Sequence, residues 1–251
     1  MCTVSLIARK RGYLLGMNRD EKLTRVAGLP PKIRRANQRT LLCPSEPGGG
    51  TWSAVNDSGA TLALINWYSI PARARSYAVS RGEIVRTVGN AGSAVEVDSK
   101  LRELPLERIQ PFRLIGIFPH QREVIEWQWN LKKLIRQKHP WRTQQWISSG
   151  FDEPKAQRLR GQSFRRAQQQ KSVGSLDWLR RLHRSHPPGR GPFSTCMHRS
   201  DAATVSYTEI IVSSRNATMR HLGSAPCQCH RRKMRSHRLR LEARAYCPKT
   251  R

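Results

Sequence analysis

Cys2 is the residue whose chemistry is most pointed. Removal of Met1, which a small second side chain permits, leaves a thiol and a free α-amine on one residue. The thiol has a reference pKa of about 8.5 and the amine about 8, so the amine can act as the base that activates the sulfur. Such a pair suits acyl transfer: the thiolate attacks an amide carbonyl, and the amine returns the proton to the leaving nitrogen. A second feature is the tetrapeptide Asn18-Arg19-Asp20-Glu21, which ends the apolar run 13–17. Four polar groups there are costly unless they meet partners or solvent. Arg19 is placed to hold a thiolate and Asp20 to orient the α-ammonium, with Asn18 and Glu21 in support. Asn66, closing a later apolar run, could donate its amide NH2 to a developing oxyanion. The same residues would also build a salt-bridged turn with an asparagine cap, and their types and spacing leave both readings open.

These residues need elements to bring them together. Residues 3–8 and 13–17 read as two short strands joined by a tight turn, and antiparallel pairing would set Cys2 beside the tetrapeptide. Gly48-Gly49-Gly50 leads into a second hairpin, 51–55 and 61–66, turning at Asn56-Asp57-Ser58-Gly59. Apolar residues recur at helical spacing over 80–104, and strand-like runs occupy 112–118 and 124–129. Within an expected helical stretch 152–185, residues 152–171 read as a polar helix with few apolar anchors and 177–182 continue as a short helix. Two last strands are expected at 192–198 and 204–212, whereas 28–47, rich in Pro and Arg, reads as a long surface excursion. Strands at both ends with helices between them indicate one α+β domain rather than a βαβ repeat. No GxGxxG, Walker loop, HExxH or GxSxG is present.

Composition limits the function classes. The chain has 251 residues, with 46 basic against 17 acidic and a net charge of +29. No apolar run approaches the roughly 18 residues of a membrane span, and the start lacks the basic-then-apolar order of a secretory signal. A cytoplasmic protein is expected. Arginine supplies most of the charge and invites phosphates, but no helix-turn-helix, finger spacing or aromatic interleaving accompanies it. Nonspecific contact with polyanions through the basic segment 228–251 is the expectation, with that segment read as a disordered tail after a domain of residues 1–227. Cysteines at 2, 43, 196, 227, 229 and 247 do not describe a disulfide scaffold. Cys227, Cys229, His230, His237 and Cys247 group like zinc ligands but lack the two-residue gap of a knuckle. Cys196 and His198 lie two apart, on one face if the segment is a strand, and fit core residues equally well. Neither metal nor cofactor is expected.

Met1-Cys2-Thr3, Gly12-Tyr13, Asn18-Arg19-Asp20-Glu21, Gly49-Gly50-Thr51-Trp52, Asn56, Gly59 and Asn66 together resemble the NRDE family, which includes the transport and Golgi organisation protein 2 homologues. Ser80-Arg81-Gly82, Pro111-Phe112, His183-Arg184-Ser185-His186, Arg190-Gly191-Pro192-Phe193-Ser194, Cys196-Met197-His198, Asp201 and Thr204-Val205-Ser206 extend the resemblance to about residue 227. It implies an N-terminal-nucleophile hydrolase-like fold, a four-layer αββα sandwich of two antiparallel sheets between helices. The penicillin V acylase and bile salt hydrolase group, cysteine amidases acting on non-peptide C–N bonds, supplies the mechanistic analogy. By that analogy Cys2 matches the nucleophile, Asp20 the aspartate near the amine and Asn66 an oxyanion-hole asparagine. Arg19 matches the site arginine only loosely, Trp52 and Asn56 are supporting candidates, and the later Asn and Arg of that group have no matched position. The implied activity is hydrolysis of a small acylated substrate. The alternative is a non-catalytic binding or trafficking protein for haem or a lipid-like ligand. The stretch after Cys227 departs from the family pattern.

Overall fold

Alternation along the first strand, β1 (Cys2–Ala8), sends Cys2, Val4 and Leu6 into one apolar layer and Ile7 into another. Its partner β2 (Tyr13–Lys22) divides in the same way, with Tyr13, Leu15 and Met17 on the first side and Leu14 on the second. A hairpin buried on both faces must lie between two layers. The computed structural model, which describes residues 2–72, 79–228 and 234–242, shows what those layers are. The further strands are β3 (Leu29–Ala36), β4 (Arg39–Ser45), β5 (Ser53–Asn56), β6 (Thr61–Asn66), β7 (Phe112–Phe118) and β8 (Glu123–Trp129). Then come β9 (Leu134–His139), β10 (Gln144–Ser148), β11 (Ala202–Val212), β12 (Asn216–Leu222) and β13 (Arg235–Arg240). The helices are α1 (Gly82–Val88), α2 (Ala94–Arg102), α3 (Glu153–Ala167) and α4 (Leu176–Arg184).

Six strands form one sheet in the order β10-β1-β2-β11-β12-β13, and seven form the other in sequence order from β3 to β9. Every pairing is antiparallel. The central core lies between the sheets and includes Val4, Leu15, Val55, Ile65, Ile115 and Ile210. A second core joins the outer face of the seven-stranded sheet to Ile84, Val85 and Val88 of α1 and Val97 and Leu101 of α2. The third joins Ile7 and Leu14 to Phe164 of α3 and Trp178, Leu179 and Leu182 of α4. The result is the expected four-layer αββα sandwich. Tyr13 crosses the central layer: its Oη donates to Gly59 O at 2.8 Å and lies 2.6 Å from Thr61 Oγ1.

Four local expectations are corrected. Residues 28–47 are the β3–β4 hairpin rather than a surface excursion. β3 is the sheet's edge and mostly exposed; its ladder with β4 shifts register between Leu29 and Lys32, where Pro30 and Pro31 stand, a break an edge strand tolerates. Residues 192–198 form turns with one isolated bridge, His198 to Ala203, in place of a strand. Strands β9, β10 and β12 have no counterpart in the sequence reading. The segment 228–251, expected to be a disordered tail, contains a strand. Its residues 235–240 form β13, paired with β12, and Leu239 and Leu241 enter the central core. Ladder bonds to β12 and burial of those two leucines stabilise a strand whose arginines hide any apolar period. Residues 229–233 and 243–251, with Cys229, His230 and Cys247, lie outside the described residues. Among the described residues, no helix is long and apolar enough to cross a membrane.

Candidate active site

Pairing of β1 with β2 sets Cys2 directly opposite Arg19, and residues opposite each other in an antiparallel pair share a face. Both side chains therefore point between the sheets, where a cavity of about 270 Å³ opens. Cys2, Arg19, Asp20, Glu21, Trp52 and Asn66 line it, together with Glu46, Ser80 and Arg81. Six of the eight residues singled out from the sequence thus converge. The approach of Arg81 is set by glycine: a Cβ on Gly82 would lie 2.8 Å from the Gly50 Cα, so the start of α1 can lie against the glycine run only without a side chain.

Arg19 does not face the thiol as a free cation. Its Nη2 donates to Glu46 Oε1 at 2.7 Å and Glu21 Oε2 at 3.2 Å, and the guanidinium lies 4.6 Å from the Trp52 ring centroid. Arg25 bridges the same two carboxylates at 3.0 and 2.7 Å, completing a four-membered network at the rim. Arg81 also lines the cavity, and its Nη1 donates to Pro111 O at 3.2 Å. Burial lowers its pKa from the usual value, and Cys2 is among the groups that act on it. The sequence reading left Arg81 among the family motifs without a role.

Asp20 sits one residue beyond Arg19, so its carboxylate points to the other face of the sheet. There it is fully buried, accepting from Thr204 Oγ1 at 2.6 Å and from Arg160 Nη1 at 3.3 Å. Arg160, on α3 and also fully buried, donates from Nη1 to Thr3 Oγ1 at 2.8 Å and from Nη2 to Pro192 O at 3.1 Å. Toward the sulfur Asp20 turns its backbone N–H, which acts to lower the Cys2 thiol pKa. Burial raises the thiol pKa above its ordinary value and Asp20 raises it further, while Arg19 opposes the shift. The Asn66 amide lies at the cavity with Nδ2 donating to Tyr68 Oη at 2.7 Å.

Asn18 and Asn56 lie away from the cavity, correcting their candidacy. Asn18 Nδ2 donates to His183 O at 3.0 Å and Thr195 O at 2.8 Å, fastening the end of α4 and the following loop to β2. Asn56 Nδ2 donates to Gly89 O and Ala91 O, and its Oδ1 accepts from Ser58 and Ala60 within its own turn. Arg160 and Glu46 were missed because nothing local marks them: one lies in a helix dense in arginine, the other in a turn.

The αββα sandwich is an N-terminal-nucleophile hydrolase-like fold, and solved structures of that fold align with most of the chain. A mutant conjugated bile acid hydrolase from Clostridium perfringens shares 10% identity at a TM-score of 0.54, covering 97% of both chains. Penicillin V acylase from Agrobacterium tumefaciens shares 12% at 0.53, covering 89% of this chain and 83% of that one. None of the curated proteins matches this chain in sequence. A family model described as Transport and Golgi organisation 2 matches residues 1–181, and the chain belongs to that family.

Proposed function

We propose that this protein is a cysteine amidohydrolase that cleaves the C–N bond of a small acylated compound, with Cys2 as nucleophile after removal of Met1. The observation that carries the reading is the Cys2 thiol in the wall of a cavity of about 270 Å³, with Arg81 and Asn66 alongside. Burial keeps the resting thiol neutral, so attack needs a base, and the α-amine of the same residue is the group in reach. Sulfur adds to the amide carbonyl as its proton passes to that amine. The C–N bond then breaks with the proton delivered to the leaving nitrogen, and water hydrolyses the thioester. The Asn66 NH2 stabilises the oxyanion on exchanging Tyr68 for the substrate oxygen. Arg81 holds a polar or anionic end of the substrate. Arg19, fixed by Glu21 and Glu46, shapes the wall rather than pairing with sulfur.

The cavity's size and its arginine and carboxylate lining suit a compact polar substrate better than haem or a lipid. The test is a panel of N-acyl p-nitroanilides with intact-mass analysis. Wild type should form an acyl adduct that maps to Cys2, Cys2→Ala should form none, and Asn66→Ala should lose about 3 kcal/mol of transition-state stabilisation, a hundredfold or more in kcat. Retention of Met1 on the mature protein, or acylation elsewhere, would remove the proposal's basis.

A further inference from the structure

We propose that His186, Cys196, His198 and Cys227 form a structural zinc site that fastens the loop between α4 and β11 to the end of β12. Their ligand atoms, one from each residue, all lie within 4.8 Å of one another. His186 Nε2 is 3.2 Å from His198 Nε2, and Cys227 Sγ is 3.4 Å from the same nitrogen. A tetrahedral ion with Zn–N of about 2.0–2.1 Å and Zn–S of about 2.3 Å sets its ligand atoms roughly 3.3–3.8 Å apart. Two edges of the cluster thus already have about that length, and the others need to close by about 1 Å at most. The donor chemistry agrees: two imidazoles and two thiols are a closed structural zinc set, and two thiolates cancel the charge of the ion.

The backbone presents these ligands from three separate stretches. Cys196 N donates to Ser185 O at 3.0 Å, bringing the Cys-Met-His stretch beside His186. His198 N donates to Gly191 O at 3.1 Å, and Cys227 stands in the short 3-10 turn Pro226–Gln228. Cys196 is buried and the other three are half-buried, so the cluster is sheltered but open to an entering ion. Residues 185–201 contain neither helix nor strand. Irregular loops of that length are uncommon in a compact domain without some further constraint, and a metal tie supplies one. The site differs from the terminal grouping considered in the sequence, sharing only Cys227 with it. It was hidden there because ligands from distant stretches meet only in the fold.

The cluster also touches the candidate active site through one relay. Met197 N, between two ligands, donates to Thr204 Oγ1 at 2.8 Å, and that hydroxyl donates to Asp20 Oδ1 at 2.6 Å. The metal proposal nevertheless stands apart from the amidase reading, because its test reads metal rather than turnover. Full-length protein purified without added metal or chelator is analysed for zinc, then stripped and titrated with zinc alone or cobalt(II) alone. The expected result is one zinc per chain, intense visible bands from tetrahedral cobalt thiolate, and X-ray absorption showing two sulfurs at about 2.3 Å and two nitrogens at about 2.0 Å. Cys227→Ser and His186→Gln, each checked for native circular dichroism, should weaken binding at least about tenfold, and Cys43→Ala should leave it unchanged. Zinc-free protein that takes up no cobalt, a Cys196–Cys227 disulfide in the unreduced native digest, or unaltered binding in both ligand variants would each overturn the site.

Discussion

Replacing Arg160 with methionine removes the cation from a pair in which both side chains have no solvent exposure. The Asp20 carboxylate would keep only the Thr204 hydroxyl, and Thr3 Oγ1 and Pro192 O would lose their donor. Removing one partner of a buried ion pair costs about 3–5 kcal/mol, because the remaining charge stays desolvated and unpaired. That is a large part of the roughly 5–15 kcal/mol that holds a domain folded. Adding Asp20→Asn to Arg160→Met removes the orphaned charge while nearly keeping the shape. The double variant should therefore be more stable than the sum of the single losses implies, with a coupling of about 2 kcal/mol. Equilibrium unfolding in guanidinium at neutral pH, followed by circular dichroism for the wild type, both single variants and the double variant, measures this directly. A single-variant cost below about 1 kcal/mol, or strict additivity in the cycle, would refute the claim that this pair anchors the end of β2.

Three further outcomes follow from the same structure. Burial lowers the His183 pKa from 6.5 to about 3, so the folded protein keeps the ring neutral while the unfolded chain protonates. Its stability contribution is full above about pH 6.5 and falls as the pH drops toward 3, by about 2 kcal/mol between pH 8 and pH 5. His183→Gln should flatten the denaturation midpoint over that range by this amount, and an unchanged slope would contradict it. Gly16→Ala should destabilise by about 1–3 kcal/mol through overpacking, since the new methyl would meet His183 Nε2 at 2.8 Å; thermal melting reads the cost. Ending the chain at Gln228 removes β13 and the burial of Leu239 and Leu241. The melting temperature should drop by about 10 °C, from a loss of about 4 kcal/mol, and an unaltered melt would show the strand to be dispensable.

Much of the fold is legible in local pattern. The two N-terminal hairpins and the helices near 80–104 carry alternation or helical spacing strong enough to read directly, the helices within 152–185 read from a polar helical stretch with few apolar anchors, and all appear where expected. β3 and β13 are not legible, because an edge strand buries little and its arginine-rich sequence has no apolar period to show. β10 follows the edge strand of one sheet in sequence yet pairs with β1 in the other, a choice that depends on the whole sandwich.

The candidate site divides along the same line. Residue chemistry picks out Cys2, a thiol that removal of Met1 would give an α-amine on the same residue, and the pairing of β1 with β2 sets it opposite Arg19 from local pattern alone. Sequence cannot say which way each member of the tetrapeptide points, because period two gives adjacent residues opposite faces and only the packed layers give those faces meaning. The sandwich turns Asn18 toward His183 and Asp20 toward Arg160, while Arg19 faces the cavity with Glu46 and Trp52. Arg81 reaches that cavity because two glycines let the start of α1 approach β5. Likewise His186, Cys196, His198 and Cys227 are scattered in the chain and meet only in three dimensions. Short-range periodicity determined the N-terminal strands, and residue chemistry singled out Cys2; contacts between residues far apart in the chain decided which charges meet the sulfur and which His and Cys side chains meet one another.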